Sequence, residues 1–445
     1  MPGKTWLRRW VPLLGGVVAA QSLVQGINAL SGILLVWFLP RDSAYAWFTV
    51  ASSMMLLATL LTDAGMMSAT NTLGGPVWQE REKFSRVIQA VLRHQRGLVA
   101  LAVFIVVPWM LVLLQRLNGP LWATSLAAVA VMLSAWQTSS AQIFSSVNRL
   151  HSMLRPQLIA ETATAVIRLL LTAGCLVAAW FFSGHADIDS FPGKVPPGPV
   201  FVAVLVAAAL PSIYFHFSVK RSALQVLAPF TGPAHEYDVA IRRIIRQTAG
   251  FTIYYCLQGQ MSIWLISWFG VTAQVADIGA LGRLGMLFAV ASGPLVQIVI
   301  PSFARSTDRH QLRRLVFRVC GSYALFATGI LLLVTFIPGP VLWLLGPQYG
   351  HLGAALPLVV LGLTSAAYSG ILWGLVLARG WVKTSALIIP VGLAAQLAGV
   401  FIFDFTSVTG VLEFNLFTSV PAVLLACLIA RTGFSRWKEV STDPG

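Results

Sequence analysis

From Trp10 to Pro40 the chain runs without a single charged side chain, further than the roughly 20 apolar residues a helix needs to cross a bilayer. Such intervals recur along the chain, near 13-39, 44-70, 97-117, 120-147, 158-183, 200-219, 244-269, 275-303, 316-337, 352-378, 384-404 and 408-430. Only 10% of the 445 residues are charged, against about 25% in an ordinary soluble domain. Hydrophobic residues make up 57%, and the mean hydropathy is +0.78. Inside hydrocarbon every backbone N–H and C=O needs a partner within the protein, so the runs are predicted to be helices. The expectation is an all-α polytopic membrane protein of twelve spans, with no room for a sizeable soluble domain. A rival reading of the N-terminus, a secretory signal with Lys4, Arg8 and Arg9 ahead of a cleavage site near Ala19-Ala20, requires a shorter apolar run of about 7–15 residues.

The basic residues test the span count, because a wrong number would scramble their alternation between sides. Connections on the side of the N-terminus collect 25 Lys and Arg, the opposite side only Arg41, Arg116 and Lys194, and two lie inside spans, Arg168 and Arg283. That asymmetry predicts both termini in the cytoplasm. It also accounts for the net charge of +15 without nucleic acid, because the charges punctuate apolar runs instead of forming one basic domain. The four cysteines, Cys175, Cys256, Cys320 and Cys427, stand far apart with no CxxC or Cys/His spacing, so neither a disulfide nor a metal site is expected.

The longest cytoplasmic connection carries Pro229, Gly232 and Pro233, turn formers that mark it as a linker or hinge. The predicted organisation is a six-helix lobe over 1-219, a linker over 220-243, a second six-helix lobe over 244-431 and a cytoplasmic tail over 432-445. A shift of 233 residues lays Gln25-Gly26 on Gln258-Gly259, and the break at Pro40-Arg41 on that at Ala273-Gln274. Two halves of six spans that start on one side are parallel repeats, as in transporters whose site lies between the halves.

Motifs for catalysis are missing. No carboxylates pair within a span, no HExxH occurs, and there is no phosphate-binding loop or nucleotide-binding domain, so an enzyme and a self-contained ATP-driven pump are disfavoured. The longest outward connection, GHADIDSFPGKVPPGP, holds Asp187 and Asp189 and reads as a solvated loop.

Polar groups inside spans carry what chemistry there is, since they are costly in hydrocarbon and usually face a cavity. With span five running outward from about Gln157, Arg168 lies roughly 16 Å in, near the midplane. With span eight running inward from about Val275, Arg283 lies roughly 12 Å from the outer edge. Each is either a ligand-binding cation or a structural Arg satisfied by carbonyls or a neighbouring acid. Glu161 shares a helical face with Arg168 but sits about 10 Å away, too far for a direct pair. The acids Asp63, Glu161, Asp277, Asp404 and Glu413 all fall near span ends. Deep cations without deep anions favour an anionic substrate, because guanidinium grips phosphate bidentately. Polar stripes at helical spacing, Gln21/Gln25/Asn28 in span one, Ser52/Thr59/Asp63 in span two and Ser134/Gln137/Thr138/Ser145 in span four, either line that cavity or bond between helices. The candidate substrate residues are Arg168, Arg283, Gln25, Asn28 and Gln137; the candidates for coupling or gating are Asp63 and Glu161. Gly279/Gly282/Gly285 and Gly370/Gly374 read as close-packing faces.

Three features resemble the oligosaccharide-lipid flippases and polysaccharide exporters of the multidrug/oligosaccharidyl-lipid/polysaccharide transporter superfamily. LLVWFLPRDSAYAWFTVASSMMLLATLLTDAGMMSA is similar to that family's "R-x-L-x-x-x-x-Y/F-G" turn followed by a span ending in "D-x-G", with Ala44-Tyr45-Ala46 where a Gly is usual. VADIGALGRLGMLFAVASGPLVQIVIPSFAR is similar to the family's eighth span, with Ile278-Gly279 in place of a Gly-Tyr pair. The 6 + 6 organisation covers the whole chain. The resemblance implies a MATE-like, V-shaped pair of lobes that passes a polyprenyl-diphosphate-linked glycan outward across a bacterial inner membrane by alternating access. It also implies a place beside glycosyltransferases and a polysaccharide polymerase, and contact with membrane lipids. No cofactor is expected, and coupling to an ion gradient is left open with the ion unassigned. A cation-coupled multidrug exporter needs a deep carboxylate, and a peptidoglycan-precursor flippase typically has two further spans. A non-enzymatic subunit of a polysaccharide synthase complex is left open by the sequence.

Overall fold

The computed structural model describes residues 3–182, 196–229, 234–305, 309–378 and 387–435. Its elements in chain order are α1 (Gly3–Phe38), a π-helical turn (Arg41–Tyr45), α2 (Ala46–Asp63), α3 (Met66–Gly74), α4 (Arg81–Arg116), α5 (Leu121–Leu150), α6 (Leu154–Phe182) and α7 (Pro197–Leu224). There follow α8 (Asp238–Phe269), α9 (Thr272–Arg305), α10 (Arg309–Phe336), α11 (Gly339–Leu345), a 3₁₀ segment (Pro347–Ala355), α12 (Leu356–Ala378), α13 (Ile388–Ile402) and α14 (Val408–Ser435). Among the described residues no strand occurs, as the hydrogen-bonding demand of a bilayer dictates. Nine of these helices or helical runs are long and apolar enough to cross a membrane, and α13 is a shorter apolar helix. With α8 and α9 they fall on the twelve predicted spans, and the chain is a multi-pass, all-helical membrane protein. The loop acids Asp187 and Asp189, linker residues 230–233 and tail residues 436–445 lie outside the described residues.

Several helices run past the predicted bounds, α4 for example from Arg81 and not near 97, and one span is broken. Span two is continuous in the sequence reading, but the structure breaks it at Ala64 (φ +24°) and Gly65 (φ +95°). Asp63 turns the chain here, its Oδ1 accepting a hydrogen bond from the Met67 amide at 3.2 Å and so satisfying an open donor in the first turn of α3. A pattern of hydrophobic residues registers neither event, because both flanks remain apolar.

The chain forms two compact units, one of residues 27–279 and one of 1–26 with 280–445. In the first, α5 packs on α7, α7 on α6, and α2 on α4, α5 and α8. Its core at one end of the bundle includes Met66, Phe84, Val87, Val91, Phe144, Val147 and Ile241. Gln95 adds a polar knot inside this unit, donating to Ser139 Oγ at 2.8 Å and accepting from Ser140 Oγ at 3.1 Å, so that both ends of a buried amide are satisfied. In the second unit α12 packs on α10 and α14, and α13 on α14, around Phe303, Leu312, Tyr323, Ile371 and Leu375. There the Tyr368 hydroxyl donates to the Cys320 carbonyl at 2.7 Å.

Candidate functional site

Arg168 stands midway along α6, fourteen residues from Leu154 and fourteen from Phe182, or about 21 Å from either end at 1.5 Å per residue. Its Nη1 donates to Asn28 Oδ1 of α1 at 3.3 Å, joining two of the residues selected from sequence. Its Nε is buried with no hydrogen-bond partner among the described residues. Asn28 is neutral, so this bond orients the guanidinium without cancelling its charge. Gln25 precedes Asn28 by three residues, close to one turn, on α1 and is half-buried. Gln137 of α5 is buried, and its Oε1 also lacks a partner among the described residues. Arg283 is half-buried on α9, in the unit of 1–26 and 280–445, whereas Arg168, Asn28 and Gln137 belong to 27–279.

The two coupling candidates have local partners. Glu161 Oε1 accepts from Gln157 Nε2 at 2.8 Å, one turn earlier on α6, and Asp63 caps α3. The hydroxyl of Thr59, on the stripe of span two, returns to a carbonyl of its own helix, Met55 O, at 2.8 Å. Such a bond satisfies the hydroxyl in hydrocarbon without a ligand.

Residues that sequence reasoning passed over fasten α8 and the start of α9 to α2 and α4. Arg41 and Asp277, read separately as outer-side charges, form a bidentate pair with Asp277 buried. Two residues on, a Cβ on Gly279 would lie 2.2 Å from Thr49 Oγ1, so α2 and α9 approach here at a distance only glycine allows. Arg116, from the end of α4, donates to Trp268 O at 3.2 Å and lies 4.2 Å from the centre of that indole. Trp109 stacks on Trp268 at 6.0 Å and meets Trp264 edge-on at 6.1 Å.

At the other end of the same unit, α4 holds both described ends of the linker. Arg81 Nη2 donates to Gln225 O at 3.0 Å and Leu227 O at 2.9 Å, and Ser85 Oγ accepts from the Ala228 amide at 2.7 Å. Arg93 donates to Ala234 O at 3.1 Å and to the Asp238 carboxylate, which also meets His235 Nδ1 at 3.0 Å and His94 Nε2 at 3.8 Å. Desolvation pushes the pKa of Asp238 up; the bonds from His235 and Arg93 and the charges of Arg93 and His94 outweigh it, leaving the carboxyl below its ordinary range. Among the described residues no group of three His, Cys, Asp or Glu is placed to hold a metal ion.

The long apolar helices define a multi-pass membrane protein, and solved structures give its fold as MATE-like. The chain is similar to an inward-facing multidrug resistance MATE family transporter of the MOP superfamily, with a TM-score of 0.69 and 14% identity over 94% of this chain and 96% of that one. It is similar to the lipid II flippase MurJ in an inward closed conformation, at 0.68 and 13% over 94% and 88%. A mutant of the Vibrio cholerae MATE transporter VcmN aligns at 0.56 and 17% over 95% and 99%. At these identities the likeness is one of fold. No family model and no curated protein matches the chain.

Proposed function

We propose that this protein is a flippase that moves a polyprenyl-diphosphate-linked oligosaccharide across the bacterial inner membrane for surface polysaccharide biosynthesis, by alternating access. One observation carries the reading: Arg168, at the middle of a spanning helix, is bonded to a neutral amide and keeps a buried Nε with no partner among the described residues. A deep guanidinium is costly, about 2.5–3.5 kcal/mol on insertion scales, and a purely structural one would be expected to meet an acid. An anionic diphosphate entering beside Asn28 supplies the missing charge and a second acceptor for the fork. In this reading Arg283 is a second anion contact, Gln25 and Gln137 bond the glycan, and Asp63 and Glu161 gate or couple the cycle. The lobes are 1-219 and 244-431, joined by 220-243, with both termini cytoplasmic. Glycosyltransferases and a polysaccharide polymerase would be the working partners.

Complementation of surface polysaccharide in a flippase-deficient host, scored against membrane abundance, tests it. Arg168→Ala should nearly abolish export and Arg168→Lys should retain part of it, because Lys keeps the charge and loses the fork. Full export by the Ala variant at normal abundance would sink the proposal. Extrusion of cationic drugs by a wild type that fails to complement would replace it with the multidrug exporter. Complementation without transport of the lipid-linked intermediate in vesicles would favour the synthase-complex subunit.

A further inference from the structure

The first turns of α8 expose a stripe that nothing in the fold uses. Val239, Arg242, Arg243, Arg246, Gly250 and Ile253 follow one another at steps of three, four or one, which places them on one side of a helix, and all six are exposed. Val239 and Ile253 are 72% and 54% exposed, so apolar side chains bracket the arginines along the stripe. The opposite side of the same turns is anchored: Ile241 is buried, and Ile244 and Ile245 pack against the core around Phe84 and Val87. One turn further on, Thr248 Oγ1 donates to Ala64 O at 3.1 Å, where a Cβ on Gly65 would approach to 2.3 Å. With that side locked, the arginines have one direction in which to point.

The nearby acids are already engaged. Asp238 is held by Arg93 and His235, and Glu236 pairs with Arg86 at 3.6 Å. None of the three arginines forms an ion pair among the described residues. Arg246 lies seven residues before Ile253 on α8, about 10 Å along the axis, the step from the acyl region to the level of the headgroups. On the basic asymmetry of the connections this is the cytoplasmic end, where anionic lipids set the surface potential.

We infer that Arg242, Arg243 and Arg246 form a binding site for the phosphate headgroups of anionic phospholipids of the cytoplasmic leaflet. Three guanidinium groups on two adjacent turns offer bidentate donors to phosphodiester oxygens, while Ile253, on the bilayer side of them, lies along acyl chains. The site is independent of the transported substrate. Its effect is to tie the start of α8, and through Thr248 the break between α2 and α3, to the lipid surface.

The test uses the purified full-length chain in mixed micelles, its melting followed by tryptophan fluorescence against rising phosphatidylglycerol or phosphatidylcholine. Wild type should be stabilised by phosphatidylglycerol and not by phosphatidylcholine. The triple variant Arg242→Gln, Arg243→Gln, Arg246→Gln should need about a hundredfold more phosphatidylglycerol for half its effect, and the triple Lys variant should keep most of the response. A control triple at the exposed Arg96, Arg155 and Arg221 removes the same charge and should titrate like wild type. Should the triple Gln variant fail to accumulate, Arg242→Gln and Arg246→Gln alone should each weaken the response about fivefold. A Gln variant that titrates like wild type, a control that loses as much, or an equal response to phosphatidylcholine would overturn the site. So would stabilisation by undecaprenyl diphosphate in phosphatidylcholine with none by phosphatidylglycerol, which would assign the arginines to the substrate.

Discussion

Arg41 and Asp277, 236 residues apart in the chain, meet through two parallel hydrogen bonds, Nε to Oδ1 at 2.8 Å and Nη2 to Oδ2 at 2.7 Å. The Asp277 side chain is 3% exposed and that of Arg41 25%. Removing Arg41 therefore takes a bidentate partner from a carboxylate with most of its hydration gone, and breaking a buried pair in this way costs about 3–5 kcal/mol, toward the low end here because one partner is partly wet. Arg41→Ala should lower the melting temperature and membrane yield more than Arg41→Ala with Asp277→Ala, which removes both charges. A double variant at least as unstable as the single would show that the pair contributes little beyond packing.

Gly65 occupies a left-handed conformation at φ +95° with Thr248 Oγ1 against the place of a Cβ. Gly65→Ala should destabilise by about 1–3 kcal/mol through backbone strain, plus the clash. Adding Thr248→Ala removes the clash and leaves the strain, so thermal melts of the four proteins of this cycle should show partial recovery. Strict additivity would mean that the two residues do not meet.

Asp63→Asn keeps an oxygen that accepts from the Met67 amide, and Asp63→Ala does not, at a cost of about 1 kcal/mol for a lost helix cap. The Asn variant is expected to impair polysaccharide export less than Arg168→Ala does. An inserted but inactive Asn variant would promote Asp63 from a capping residue to the coupling site.

The Asp238 cluster gives the linker a pH dependence of definite sign. A carboxyl held below its ordinary value of 3.8 by Arg93, His235 and His94 contributes stability above that value and loses it as pH falls through the lowered one. Limited proteolysis at 225–238 should be slow at neutral pH and accelerate only below about pH 4. Asp238→Asn should be cut faster at neutral pH, with little further change on acidification. Unchanged cutting in the Asn variant would mean that the carbonyl bonds from Arg81 and Arg93 hold the linker alone.

Reporter fusions at residue 232 and at the C-terminus, residue 445, test the sidedness drawn from the basic asymmetry. Both should read as cytoplasmic, and periplasmic activity at either position would reverse the orientation of every site named above.

The sequence by itself located the twelve spans, because an uninterrupted apolar run of about 20 residues satisfies its backbone in hydrocarbon as a helix, but not every helix end: α4 starts at Arg81 and not near 97. It also placed Arg168 at the middle of its helix, since distance from the ends follows from position along a helix of known rise. The partners came from tertiary structure alone. That Arg168 meets Asn28 and no acid among the described residues, that Arg41 finds Asp277, and that α2 breaks where Thr248 reaches the Ala64 carbonyl all depend on which helix faces which. Apolar periodicity is nearly uninformative on that point in a membrane: lipid tails and helix neighbours are equally apolar, so a side chain facing one or the other reads the same along the chain.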